Sequence, residues 1–586
     1  VLHPPVRPLR DGVNTIYSML VRMFTAYDFH QKDVVEPGTF VRALALLPLL
    51  ERMGVDTVYL LPVFLHSRMH GKGEWGSPYA IRDFFALDPE LHDPLLGPYS
   101  KETADFEFRA FVHGCHARGM RVMLDFVFRT CARDSVLIRE HPDWFYWVDA
   151  RRPFSAPRVQ THPSGAPLSP EAIERLYAQP ETMDYIQNFR HDPQTLAPEI
   201  FAKICAEEEN VLEGIERRLG ITTAPAFSDV INDPQPPWTD VTYLRFDLAP
   251  TKAAARHIPS DTPPFVLHDA IKLNLFPAQR PNEELLHMVQ KVIPDYIERF
   301  DIDGARVDMG HALEPWLNRA IVEQSRAKKP GFLFWSEQLG MEGAKTARDE
   351  GFDFITGDIW GRLSRVNQRR FGLHLLRGLT ECALPFAAAM ELPDTPRSAL
   401  LCGDAARWSA CVRLCALLPN SVFLINSGLE TMERQPMNLG LGENVYGRYA
   451  LPKDDPMRGK LAFFDPYRLH WDALEPGLNV LEEARALREE AGEMLESADA
   501  IVGLRRPGMP FVAGVLYRQA GRCFLAVANT GNRPVLVRLS RVFRPGALKA
   551  GARICSARSL SGMRGIWPAG RQIRLDSGAL LAGWVT

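Results

Sequence analysis

Eight short runs of β-forming residues, each parted from the next by enough chain for a helix, most restrict what this sequence can fold into. They are Thr15–Phe24 (TIYSMLVRMF), Thr57–Pro62, Arg121–Phe128 (RVMLDFVF), Gly304–Val307, Phe332–Ser336, Phe352–Ile355, Phe386–Leu392 and Ser421–Asn426. Several are continuous apolar stretches, as strands buried on both faces are. Helical periodicity fills the gaps. Phe40, Leu44, Leu47 and Leu50 mark a helix over Gly38–Met53 with Gly54 at its C-terminal cap, and Thr103–Arg118 is closed by Gly119. Leu285, Leu286, Val289, Val292 and Ile293 mark another over Asn282–Arg299. Alternation repeated eight times predicts an α/β chain closed into a (β/α)8 barrel. A doubly wound open sheet shares the alternation, but no glycine-rich phosphate loop follows the first run.

The interval between the third and fourth runs is far longer than one crossover helix needs. Residues 129–281, rich in proline and tryptophan, read as an inserted subdomain on the C-terminal face, where barrel enzymes place their sites. The barrel then takes 11–128 and 282–475. Beyond it, a helix near Val480–Ala498 leads to alternating runs at Phe511–Tyr517, Cys523–Ala528 and Val535–Leu539, which predict a C-terminal β-sandwich over 476–586.

Composition narrows the partners. Lys and Arg total 68 against 71 Asp and Glu, a net charge of −3, so the basic footprint of a nucleic-acid binder is missing. Glu51, Arg52 and Arg413 interrupt the longest apolar stretches, so no membrane span is expected. Val1–Arg10 carries no visible export signal, and nine scattered cysteines form no CxxC pair. These features predict a cytoplasmic protein with neither a disulfide framework nor a zinc site, and with no cofactor or metal.

Three acids end predicted strands: Asp308 in GARVD, Glu337 in FLFWSE and Asp394 after MELP, with Asp125 inside RVMLDFVF as a fourth. Any one of them reads equally well as the start of a solvated loop. On strands three, four, five and seven of one barrel, however, they converge on a single pocket. Cleaving a glycosidic bond with retention uses two carboxyls, one as nucleophile and one as acid then base. Arg306, on the same side of its strand as Asp308, would keep that acid ionised, or else form a purely structural ion pair. Glu337 stands behind Phe332, Phe334 and Trp335, where desolvation would favour its protonated form.

These segments resemble the characteristic blocks of the α-amylase superfamily of retaining glucan enzymes. RVMLDFVF is similar to the first block, DGARVDMGH to the nucleophile block, FLFWSEQ to the acid/base block, and ELPDTPR to the block holding a third catalytic aspartate. SVFLINSGLE resembles the strand and glycine turn that follow. The resemblance implies Asp308 as nucleophile, Glu337 as acid/base, Asp394 as the group gripping sugar hydroxyls and Arg306 as support for the nucleophile. Tyr79, in GSPYAIRDF, matches the aromatic that stacks on the cleaved glucose. Asp125 and His311 are further substrate-binding candidates, although His311 reads equally well as a histidine satisfied by nearby carbonyls.

A narrower resemblance runs through RTCARDSVLIREHPDWFYW, SDVINDPQPPW, LPDTPR and GLETMERQPMNLGL, towards the maltosyltransferase type within that superfamily. It implies transfer of maltosyl or glucanosyl units between α-1,4-glucan or maltooligosaccharide chains. The alternatives are a hydrolase of the same fold and a maltosyltransferase drawing on maltose 1-phosphate, which would add phosphate to the partners. Arg129 and Thr130 stand where amylases carry Asn-His, and Pro393 where they carry His, so the usual structural calcium site is expected to be lost. Trp75, Trp144, Phe145, Tyr146 and Trp238 could stack on sugars, but core packing is the better expectation for each.

Overall fold

The computed structural model describes residues 14–155, 169–227, 238–249, 252–266, 280–442, 447–496, 501–502, 511–519, 521–543, 547–548, 552–556, 566–568 and 570–586. Eight parallel strands close into a barrel: β1 (Thr15–Met19), β2 (Thr57–Leu60), β3 (Arg121–Val127), β4 (Gly304–Asp308), β5 (Leu333–Ser336), β6 (Phe354–Ile355), β7 (Phe386–Ala389) and β8 (Ser421–Asn426). Neighbours pair in chain order and β8 closes on β1, with Thr15 opposite Phe423. β1, β2 and β7 are buried along their whole length, with Thr15, Ser18 and Thr57 the polar residues among them.

Several predicted elements are shorter or broken. The first strand stops at Met19, and Val21–Phe24 forms a helical turn. The predicted helix over Gly38–Met53 divides into Phe40–Ala45 and Leu47–Arg52, because Pro48 lacks an N–H for the continuing ladder and fits only a first turn. The seventh strand ends at Ala389, before Leu392. The helices Lys101–Ala117 and Glu283–Phe300 lie where periodicity placed them, each capped by the expected kind of side chain: Ser100 accepts from the Thr103 N–H and Asn282 from that of Leu285. A hairpin of Phe64–His66 and Ile81–Leu87 after β2 was not foreseen.

The insertion leaves the barrel directly after β3. Thr130–Ala132 pairs with Val241–Tyr243, and Trp147–Asp149 lies between Phe189–Arg190 and Ile221–Thr223. Arg129 anchors this junction. Fully buried, it donates from Nη1 to the Leu244 carbonyl at 2.6 Å and lies over the rings of Tyr243 and Phe246. The motif SDVINDPQPPW falls outside the described residues except for Trp238, which packs half-buried among the insertion's apolar side chains.

The C-terminal helix runs over Leu474–Ala491, earlier than its sequence periodicity suggested, and gives way at Gly492; residues 497–498 of the expected helix lie outside the described residues. An antiparallel sheet of six strands and a pair, Val535–Arg538 with Gln572–Leu575, follow. Along Val512–Gln519 the side chains alternate. Val512 and Leu516 enter the core between these two sheets, while Ala513, Val515 and Tyr517 join the barrel's own core. Every cysteine is a free thiol, and among the described residues no helix is long and apolar enough to cross a membrane.

Candidate active site

Strand register builds the site. Arg306 on β4 lies directly opposite Asp125 on β3, and Asp308, two residues on, shares the face of Arg306. The guanidinium therefore reaches carboxylates on three strands. Nη1 donates to Asp125 Oδ1 and Oδ2 at 2.8 and 2.7 Å and to Asp308 Oδ1 at 2.6 Å, while Nη2 lies 2.6 Å from Glu337 Oε1 at the end of β5. Glu337 Oε2 accepts from the Met309 N–H at 2.5 Å. Met309 holds φ at 51°, an uncommon backbone state for a non-glycine residue, directly after Asp308. That turn aims its amide at Glu337, so the acids on β4 and β5 are tied through backbone as well as through Arg306.

Accessibility separates the acids. The side chains of Asp308 and Glu337 keep 13 % and 14 % of their surface exposed, whereas that of Asp125 keeps 0 %. The Asp125 oxygens are taken up by Arg306, by the Tyr59 hydroxyl at 2.6 Å and by the Tyr79 hydroxyl at 2.9 Å. Asp125 thus stands beneath the site as a counter-charge, with no surface for a ligand to touch. Tyr79 is half-buried, its ring 5.4 Å from that of Phe463. His311 sits half-buried in the short turn Gly310–Ala312 beyond Asp308.

Asp394 projects from a tight connection after β7. Glu391 and Arg397, three residues to either side, form an ion pair at 2.6 Å that is almost completely buried. Glu391 Oε2 also accepts from the Ser398 N–H and hydroxyl, and Arg397 donates to the carbonyls of Ser427 and Gln435 beyond β8. Asp394 Oδ1 accepts from Asn438 Nδ2 at 2.7 Å.

Burial dominates the electrostatics. It raises the Asp308 carboxyl well above the ordinary range; the neighbouring Glu337 adds to this and Arg306 opposes it. Arg306 thus acts on Asp308 in the expected direction, towards the ionised form, against desolvation and a second carboxylate. Burial raises Asp125 too, against Arg306, and pushes Asp394 to about 6, with Asn438 pulling it down. Burial works against the charge of Arg306, yet Asp125, Glu337 and Asp308 together hold its pKa well above normal. Asp394 also feels Glu337, Arg306 and Asp125, so all four acids share one electrostatic environment.

The aromatic residues considered for stacking are mostly core. Trp75, Trp144, Phe145 and Tyr146 are buried, and Trp144 lies flat against His141 at 3.8 Å. Sequence reading missed Tyr59 and Asn438. Tyr59 was hidden in an apolar run, while Asn438 lies in the GLETMERQPMNLGL motif with nothing local to distinguish it. Among the described residues, His66, Asp88 and Glu90 have metal-ligand spacing. That group is already partnered from within, since His66 Nδ1 pairs with Asp88 and Arg68 pairs with Glu90.

Comparison with solved structures decides the architecture. An α-amylase from Lactobacillus plantarum superposes with a TM-score of 0.59 at 18 % identity, covering 97 % of this chain and 98 % of that one. The chain has the α-amylase fold. An α-amylase from Geobacillus thermoleovorans gives 0.58 at 13 % identity over 98 % of both chains, and a debranching enzyme from Nostoc punctiforme gives 0.57 at 12 % identity over 98 % of this chain and 99 % of that one. No protein-family model matches the sequence. Among curated proteins, an α-1,4-glucan:maltose-1-phosphate maltosyltransferase from Rhodospirillum rubrum is 40 % identical over 153 residues, 24 % of this chain and 20 % of that protein. One of the same name from Cereibacter sphaeroides is 36 % identical over 126 residues, 20 % of each chain. The matched stretch thus spans about a fifth of the length of these curated relatives.

Proposed function

We propose that the chain is a retaining α-glucan glycosyltransferase of the maltosyltransferase type. The observation carrying this reading is the single Arg306 guanidinium bonded to both Asp308 and Glu337, with Asp125 closed off beneath it. Two partly exposed carboxyls held at one cation supply the pair of acids that retaining double displacement uses. Asp308 attacks the anomeric carbon as Glu337 gives its proton to the departing oxygen, leaving a glycosyl ester on Asp308. Glu337 then takes the proton from the 4-hydroxyl of an acceptor glucan, whose oxygen displaces Asp308 with net retention. Asp394 holds sugar hydroxyls through its second oxygen.

The names of the matched curated proteins favour maltose 1-phosphate as donor, with inorganic phosphate as the leaving group. Incubation with maltotetraose, alone and with maltose 1-phosphate, tests the reading. Transfer gives new chain lengths at constant reducing ends, and use of the phosphorylated donor releases inorganic phosphate as chains grow by two glucoses. Growth of reducing ends instead would make the protein a hydrolase of the same fold.

A further inference from the structure

The segment after β8 is fixed more firmly than a surface connection needs to be. Arg397 Nε and Nη1 reach the carbonyls of Gln435 and Ser427, each at 2.9 Å. The Gln435 amide donates to the carbonyls of Arg448 and Lys460, both at 2.8 Å. The segment then runs against Asp394: the Leu441 N–H donates to the Asp394 carbonyl at 2.6 Å. A Cβ at Gly440 would lie 3.0 Å from Asp394 Oδ1 and 3.1 Å from its Cβ, so a larger residue there would crowd the Asp394 side chain.

From this braced segment Asn438 extends its amide to Asp394. Asn438 is 8 % exposed, and its Oδ1 is buried with no partner among the described residues. Among the described residues its side chain forms one hydrogen bond, and that bond goes to Asp394. We propose that Asn438 is a positioning residue: it fixes the carboxylate of Asp394 with Oδ1 engaged by protein and the other oxygen left for substrate. The role as stated rests on the glycosyl-transfer reading, but the hold on Asp394 does not. The donor also stabilises the ionised form against burial, while Glu337 and Asp125 favour the proton, Arg306 opposes it, and Tyr79 stands nearby.

The test is a titration with steady-state kinetics on the full chain. Aspartate carboxyl carbons are labelled with 13C, and the Asp394 signal is assigned by its loss in Asp394→Asn. In Asn438→Leu, close to isosteric but without the donor, the Asp394 midpoint should move up by about one pH unit, which corresponds to losing one hydrogen bond to a charged group. Turnover should fall about tenfold, KM should change less, and the acidic limb of the pH profile should follow the carboxyl. Asn438→Ser, which keeps a shorter donor, should recover part of both effects. A melting temperature close to wild type is expected, because no other side-chain bond is lost. An unchanged Asp394 midpoint in both variants would overturn the proposal. Absence of glycosyl transfer in the wild type would defeat the functional reading, yet the titration would still show whether Asn438 holds Asp394.

Discussion

At the scale of single residues, Arg306 carries the most consequences, because its partners are not equivalent. Asp125 is enclosed and pairs with the guanidinium from beneath, whereas Asp308 and Glu337 keep a face towards solvent. Removing Asp308 leaves the buried cation still paired. Asp308→Ala should accordingly lower turnover on the order of 10⁴-fold or more while its thermal melt stays near wild type; retained activity would end the nucleophile assignment. Removing Asp125 takes away the one fully enclosed partner and leaves Arg306 to Asp308 and Glu337. Asp125→Asn should destabilise the fold by about 1–3 kcal/mol, read by chemical denaturation, more than Asp308→Ala does. Two acids on adjacent strands, at the same guanidinium, thus predict different splits between stability and turnover. The Asp125–Arg306 pairing was latent in the sequence, since the two runs are adjacent parallel strands. Their register, and hence the burial of Asp125, was not, because nothing in RVMLDFVF says which residue faces which.

At the scale of elements, the connections carry as much of the site as the strands do. ELPDTPR shows why: Glu391 and Arg397 close on each other and lift Asp394 between them, and Arg397 reaches onward to the chain beyond β8. Arg397→Met leaves Glu391 charged and buried without its partner, so unfolding should become easier by about 3–5 kcal/mol. Adding Glu391→Gln should restore a good part of that loss, because the double variant buries no unpaired charge. If the double variant were no more stable than the single one, the pair would not be what closes the connection. Strands and long helices were legible because burial on both faces, or on one face, writes a period into the residues. Pro48 was visible too, yet the apolar spacing of Phe40, Leu44, Leu47 and Leu50 runs straight across it, and two short helices with a shared buried face give nearly the same spacing as one. The Glu391–Arg397 pair and the Asn438 contact had no such signature. They join residues 6 and 44 positions apart through space, and a charge or an amide in a loop reads the same whether it is solvated or buried.

At the scale of the whole molecule, the C-terminal sheet is built into the barrel rather than appended to it. Both faces of the strand Val512–Gln519 are covered, one by the facing two-stranded sheet and the other by the barrel's outer layer. The Tyr517 hydroxyl donates to the Leu417 carbonyl, the Phe511 N–H donates to Arg369 at 3.2 Å, and a Cβ at Gly372 would lie 2.5 Å from the Val512 carbonyl. Two bodies sharing a core at this closeness should lose structure together. Val515 is fully buried on the barrel-facing side. Val515→Asp places an unpaired charge there, a change expected to cost more than about 4 kcal/mol. The decisive readout is where that cost appears. If sheet and barrel are one cooperative unit, tryptophan fluorescence and the proposed glycosyl-transfer activity should fall in the same, lowered transition. If the sheet unfolds alone, activity should survive past the first transition. Leu536→Asp supplies the control: that side chain is 59 % exposed on the far sheet, and the same charge there should shift stability by no more than about 0.5 kcal/mol. Separate transitions in the Val515 variant would mean that the sheet rests on a barrel able to stand without it.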